Sequence, residues 1–334
     1  MKILLATGLY PPQIGGHAKY AEAIHDKLVG RSIEAPVVSF GEVKHLPPLV
    51  RHLVYVWRLF VHSRGSNAIL AFDTWSVGMP ALFVARLRHV PLVVRVGGDF
   101  LWESYIERGG ELVPLPQFYA VPRKFTLKER IIRRGTRAIA TYAAKLVFNS
   151  AWQRDIWLKA YDIPLERTAI VENEYTGFVA AEPPANKSFV AAGRATRLKN
   201  IPMLAGAIEA VKAAHPDGAL DMRTLSREEH TERLRRAYAV VVPSISDMNP
   251  NMIWEGLAFG KPFICTKYTG ITERLKDLGI FFNPADEREL KAAIEELLNP
   301  EKYAGYVERI RAFSYRHTWE QITDEILAAI PKRI

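Results

Sequence analysis

Short apolar runs ended by glycine or proline alternate with helix-patterned stretches along nearly the whole chain. That alternation narrows the fold to parallel sheets covered by helices on both faces. Lys2–Thr7, Pro36–Phe40, Ala68–Phe72, Pro91–Val96 and Lys145–Asn149 read as buried strands, with helical patterns over 18–28, 46–62, 76–88, 124–143 and 151–161. A proline-containing stretch, Gly177–Lys187, reads as a linker. The alternation then restarts with strands at 188–192, 220–224, 239–242, 262–266 and 279–282. Helices are expected at 201–215, 227–237, 250–259, 286–298 and 318–330, the second opened by a capping box of Ser226 and Glu229. The expected fold class is α/β, two doubly wound Rossmann-like domains over 1–176 and 177–315. The helix in 316–334 is expected to pack back on the first. In such sheets ligands bind beyond the carboxyl ends of the strands.

Composition excludes several other classes. With 334 residues, 49% hydrophobic and 24% charged, the chain is ordinary globular protein and long enough for two cores. The single cysteine, Cys265, rules out a disulfide framework and a Cys-rich zinc site. It sits in an apolar strand, where a buried, inert thiol is expected. The apolar run Ile3–Ala6 is too short for a signal-peptide core, and no run of about 18 uncharged apolar residues exists. A cytoplasmic protein is therefore expected. Its net charge of +9 is uneven: residues 1–180 hold 23 Lys/Arg against 15 Asp/Glu, whereas 181–334 hold 22 against 21. The excess in the first half calls for an anionic partner.

Three constellations carry chemistry. Gly15-Gly16 stands between a strand–loop and a helix, where the backbone can approach a ligand and the helix amides can meet an anion. Gly193-Arg194-Ala-Thr-Arg197-Leu-Lys199-Asn200 leaves a strand and feeds a helix that Asn200 is placed to cap. Its three cations have the wrong sign for a helix start, a conflict that a bound diphosphate would relieve. The third runs from Ser244 through Asp247, Asn249, Pro250, Asn251 and Met252 to Glu255-Gly256. Asn249 is placed to cap and Pro250 to begin the helix. Asp247 and Glu255 then offer carboxylates to vicinal hydroxyls, and the amides of Asn251 and Met252 can meet phosphate. No Asp-x-Asp pair, H-E-x-x-H or G-x-S-x-G motif occurs.

Together these residues resemble the GT-B glycosyltransferases of the retaining family 4 type. The resemblance runs through Tyr10-Pro11-Pro12…Gly15-Gly16…Tyr20, Val94–Glu103, Phe148-Asn149-Ser150 and Gly193-Arg194…Lys199-Asn200. It continues through Pro243-Ser244…Asp247…Pro250-Asn251…Glu255-Gly256…Gly260-Lys-Pro262 and Gly270-Ile-Thr-Glu273. It implies two Rossmann-like domains facing across a cleft and transfer with retention from a UDP- or GDP-sugar, with no metal and no cofactor beyond that substrate. The acceptor would be a glycan or a lipid-linked molecule, as in polysaccharide biosynthesis. Arg194 and Lys199 would grip the diphosphate, with Gly15 and Gly16 reaching it from the first domain. Glu255 would bind the ribose and Asp247 the sugar hydroxyls. Asp247 stands where the family usually has Glu, and Gly97-Gly98-Asp99 replaces a frequent His; Asp99 is read as touching the sugar or acceptor, or as a turn residue. The second domain is shortened between His215 and Arg233. A degenerate, non-catalytic binding or scaffold subunit is the alternative reading, and an epimerase or phosphorylase on the same scaffold a third.

The basic half has its own reading. On 46–62, Arg51, Tyr55, Arg58 and His62 recur opposite Leu49, Leu53, Trp57 and Phe60, and on 124–143 Lys128, Arg130, Arg133, Arg134 and Arg137 crowd together. They read either as solvated faces of core helices or as contacts to an anionic membrane surface on its inner face. Nucleic acid fits less well, since no binding motif accompanies the charge.

Overall fold

The computed structural model describes residues 1–13, 15–180, 183–184, 186–191, 196–212, 215–216, 218–223 and 225–331. Among these residues two compact units separate. The first comprises Met1–Ser104, Arg123–Glu172 and the chain from Thr318 onward; the second comprises Tyr105–Pro122 and Asn173–His317.

The first unit holds strands β1 (Ile3–Thr7), β2 (Val37–Ser39), β3 (Ala68–Ala71), β4 (Leu92–Val96), β5 (Lys145–Phe148) and β6 (Thr168–Ile170). They form one sheet in the order β2-β1-β3-β4-β5-β6, parallel throughout, with Leu5 opposite Leu70 and Val94 opposite Leu146. Every residue of β1, β3 and β4 is buried, which is why they read as largely apolar runs rather than alternating ones, with Arg95 of β4 a buried charge among them. Strand β6 was not legible: it has three residues, all half-buried. The helix Trp319–Ala329 completes this core, placing Ile322 and Ile326 in one cluster with Ile3, Leu5, Ile24 and Leu70. Its Trp319 ring packs edge-on to Tyr20 at 5.2 Å, and its Glu320 pairs with Lys27 and Arg31 of the first helix and its end.

The second unit holds β7 (Lys187–Ala191), β8 (Gly218–Asp221), β9 (Ala239–Val242), β10 (Phe263–Thr266) and β11 (Gly279–Phe282), in the order β11-β10-β9-β7-β8 and again parallel. Leu204, Ile208, Leu290 and Ile294 cover one face of this sheet, and Ile253, Trp254, Leu257 and Leu275 the other. Between His215 and Arg233 the elements among the described residues are β8 and the start of the helix Arg227–Arg236. The Ser226–Glu229 capping box forms as expected, each side chain bonding the other's backbone N–H. Phe100–Glu107, Leu115–Ala120 and Pro300–Ala312 are helices beyond those expected. The last carries a signal in Asn299-Pro300, since the Asn299 side chain accepts from the amides of Glu301 and Lys302.

Tyr105–Pro122, read from sequence within 1–176, belongs to the second unit because of its bonds there. Arg197 donates to the carbonyls of Ile106 and Gly110 at 2.6 and 3.0 Å, and Leu115 N–H donates to Ser246 Oγ at 3.0 Å. Within the stretch read as a linker, Val179 N–H donates to Ala258 O at 2.7 Å.

The helix Asn251–Ala258 lies unusually close to β9. A Cβ on Gly256 would stand 2.6 Å from Val240 Cγ2, so only glycine permits this approach. Gly256→Ala is expected to lower the unfolding free energy by about 1–3 kcal/mol, measured as a lower urea midpoint at unchanged m-value.

Candidate functional site

In the second sheet β7 and β9 are neighbours, and successive connections diverge from that point, to β8 on one side and β10 on the other. The crevice expected at such a switch point lies beyond their carboxyl ends. The segment after β7 carries the turn Arg197–Lys199, and the segment after β9 carries Ser244 to Asn249. Gly193 and Arg194, the first part of the expected diphosphate grip, lie outside the described residues.

These two segments are joined by backbone and side chains. Ile245 N–H donates to Leu198 O at 2.9 Å, and Lys199 Nζ meets Asp247 Oδ2 at 3.1 Å across 48 residues of sequence. Asp247 is held from its other side too, its N–H donating to Tyr268 O at 3.1 Å, while Gly270 N–H donates to Met248 O at 3.1 Å. Lys199 and Asp247 are each partly exposed, so the pair stands at the edge of solvent where a ligand can reach it.

Two capping expectations are corrected. Asn200 does not cap with its side chain: it takes the left-handed conformation (φ 51°, ψ 33°) that links the turn to the helix Ile201–Val211, and its Nδ2 donates to Pro284 O at 3.0 Å. Asn249 does not cap either. Pro250 occupies the cap position, the helix begins at Asn251, and Asn249 Oδ1 accepts from the Trp254 indole. Asn251 and Met252 thereby contribute the first two amides of that helix, groups that have no partner within the helix itself. Arg197 is also redirected, its guanidinium bound to two carbonyls at the end of the helix Phe100–Glu107.

Glu255, one turn into its helix, reveals neighbours that sequence reasoning missed. His230 Nε2 lies 3.3 Å from Glu255 Oε2, and Arg233 Nη2 lies 2.9 Å from His230 Nδ1. A guanidinium can only donate, so His230 accepts at Nδ1 and carries its proton on Nε2, directed at Glu255. Arg233 is itself buried and is held by Arg223 O at 2.6 Å and by Asp221 Oδ1 at 3.5 Å. Hydrogen bonds from Arg223, together with the charge of Arg233, hold the Asp221 carboxyl down to about 2 despite its partial burial. The available signal was Arg233 beside Leu234 on the inward side of a highly charged helix, three residues after His230.

In the first unit, Gly15 is the cap residue and Gly16 the first residue of the helix Gly16–Gly30, which has no acidic residue in its first turn. Asp99 is buried, and both its oxygens serve the fold. Oδ1 accepts from Trp102 N–H and Oδ2 from Trp157 Nε1, each at 2.9 Å. Of the two roles read for Asp99, the turn role describes these bonds: Asp99 caps the helix Phe100–Glu107 and anchors Trp157. Cys265 is fully buried, and burial pushes its thiol well above the ordinary range. No three His, Cys, Asp or Glu side chains come together as a metal-binding group among the described residues.

The fold is that of the GT-B glycosyltransferases, two Rossmann-like domains each built on a parallel sheet. Residues 186–300 match the family model described as Glycosyl transferases group 1. Similar solved structures include a sucrose-phosphate synthase from Thermosynechococcus elongatus, with 14% identity, TM-score 0.73 and 98% and 97% of the two chains covered. Anabaena HepE in complex with UDP-glucose is similar at 16% identity and TM-score 0.69, covering 98% of each chain. An E. coli structure described as trehalose-6-phosphate bound with UDP-2-fluoro glucose is similar at 11% identity and TM-score 0.66, again covering 98% of each. No curated protein matches the chain by sequence.

Two measurements test the site's electrostatics. Asp221 has a depressed folded pKa, so its stabilisation is present above the ordinary value of 3.8 and is lost as pH falls toward about 2. Asp221→Asn is therefore expected to be less stable than wild type near neutrality and equally stable near pH 2, as read by denaturant titrations across that range. In nitrogen-15 spectra, His230 is expected to show the tautomer with its proton on Nε2, and Arg233→Met to abolish that preference.

Proposed function

We propose that the chain is a retaining glycosyltransferase that moves a hexose from a UDP- or GDP-sugar to a glycan or lipid-linked acceptor, without a metal or a resident cofactor. The observation that carries this reading is the Lys199–Asp247 pair at the switch point of the second sheet, on the loop that leads into the amides of Asn251 and Met252. A cation and a helix start suit a diphosphate, and carboxylates on the same segment suit sugar and ribose hydroxyls. The family match over 186–300 supports it, as does HepE's crystallisation with UDP-glucose.

In this reading Arg194, Lys199 and the amides of Asn251 and Met252 bind the diphosphate, and the amides opening the Gly16–Gly30 helix offer the same chemistry. Asp247 orients the sugar hydroxyls. Glu255, steadied by His230, takes the ribose. As the bond from the anomeric carbon to the diphosphate oxygen breaks, the acceptor oxygen bonds that carbon on the same face and its proton passes to the departing phosphate. Stabilisation of the departing charge by Lys199 and helix amides is the main catalytic contribution. The acceptor is one of those used in polysaccharide biosynthesis.

The test is turnover of a panel of UDP- and GDP-sugars, read as release of UDP or GDP. Wild type is expected to consume at least one of them, with Lys199→Ala or Arg194→Ala slowing turnover about a hundredfold or more. Full turnover by both variants would overturn the site assignment, and donor binding without turnover would favour a scaffold subunit.

A further inference from the structure

The first unit exposes an apolar and cationic face that the donor site does not explain. The helix Pro48–His62 is held inward by Tyr55 and Leu59, both fully buried, with Tyr55 OH donating to Val38 O at 3.2 Å. Its outer side carries Leu49, Leu53, Trp57 and Phe60 at helical spacing; Leu53 is 71% exposed and Trp57 64%. This helix packs on Gly78–Arg88, which packs in turn on Leu127–Tyr142. The second adds exposed Phe83 and Leu87, the third exposed Leu127 and Ile131, each pair four residues apart and so on one side of its helix.

Cations lie between and beside these side chains. The Arg88 guanidinium lies 3.7 Å over the Phe60 ring and donates to Phe60 O, and Arg86 lies 4.5 Å over Tyr142. The three helices together hold nine Lys and Arg against one acid, Glu129, which is buried in its capping box. Arg58 pairs with Glu42 outside them. The three helices thus hold an excess of eight positive charges; Arg51 and Arg58 lie on the side of their helix opposite the apolar stripe, and the remaining cations are on the second and third helices.

We propose that this face docks onto an anionic lipid bilayer. Leu53, Trp57, Phe60, Phe83 and Leu87 would enter the headgroup boundary, while Arg86, Arg88, Arg130 and Arg134 meet lipid phosphates. Exposed apolar side chains in helical stripes gain by leaving water for the bilayer interface, and long cationic side chains among them can reach the headgroups. A second copy of the chain would bring two strongly positive faces together, and a nucleic acid would leave the apolar stripe in water. The surface lies in the first unit and stands independently of the donor site.

The experiment is flotation of the full chain with vesicles of phosphatidylcholine alone and of phosphatidylcholine with about one third phosphatidylglycerol. Binding is expected only to the anionic vesicles, weaker at high salt. Arg130→Ser with Arg134→Ser is expected to weaken it about fivefold per cation. Leu53→Ser with Trp57→Ser is expected to weaken it tenfold or more, with circular dichroism and sugar-nucleotide turnover unchanged because both side chains are exposed. Three results would overturn the proposal: no binding to either vesicle, full binding by the Leu53–Trp57 variant, or a solution dimer that buries Trp57.

Discussion

The loop that follows β9 is held from both sides by main-chain hydrogen bonds, and the candidate site depends on that restraint. Leu198 O holds Ile245, while Tyr268 O holds Asp247 and Met248 O accepts from Gly270. A loop beyond a parallel strand has no neighbouring ladder to hold it, so its geometry rests on such bonds. Here they fix the Asp247 backbone before any side chain acts. The Lys199–Asp247 contact, partly exposed, adds little stability of its own, and its value lies in where it puts two opposite charges.

A second layer of order sits behind Glu255. Asp221, Arg233 and His230 form a line of alternating donors and acceptors that ends on its carboxylate. Removing one member would leave a buried guanidinium or an imidazole nitrogen without its bond, so the line is cooperative in the way buried polar networks are. It occupies the region after β8, where Arg233 brings charge to a helix position that is buried.

Legibility followed burial. β1, β3, β4, β9 and β10 were readable because central parallel strands are covered on both faces and are therefore mostly apolar, with Arg95 of β4 the one charged residue among them. The half-buried β6 leaves no such trace. Local polar signals were readable where the partner lies within a turn, as at Ser226 and Glu229. They failed where it is remote: Asn200 looks like a cap but bonds Pro284, and Arg197 looks like a ligand-binding cation but bonds carbonyls some 90 residues away. Lys199 and Asp247 were recognisable separately, as residues after strand ends. That they touch follows only from β7 and β9 being neighbours.

The helix Trp319–Ala329 fills the core of a unit that begins with β1, and Tyr105–Pro122 belongs to the unit whose sheet starts at β7. Neither unit is therefore one continuous stretch: the chain passes between them four times. No single cut yields two self-sufficient halves, because each fragment lacks a piece of its own interior. During synthesis the first sheet must wait, with Tyr20 and Ile24 uncovered, until the last helix emerges.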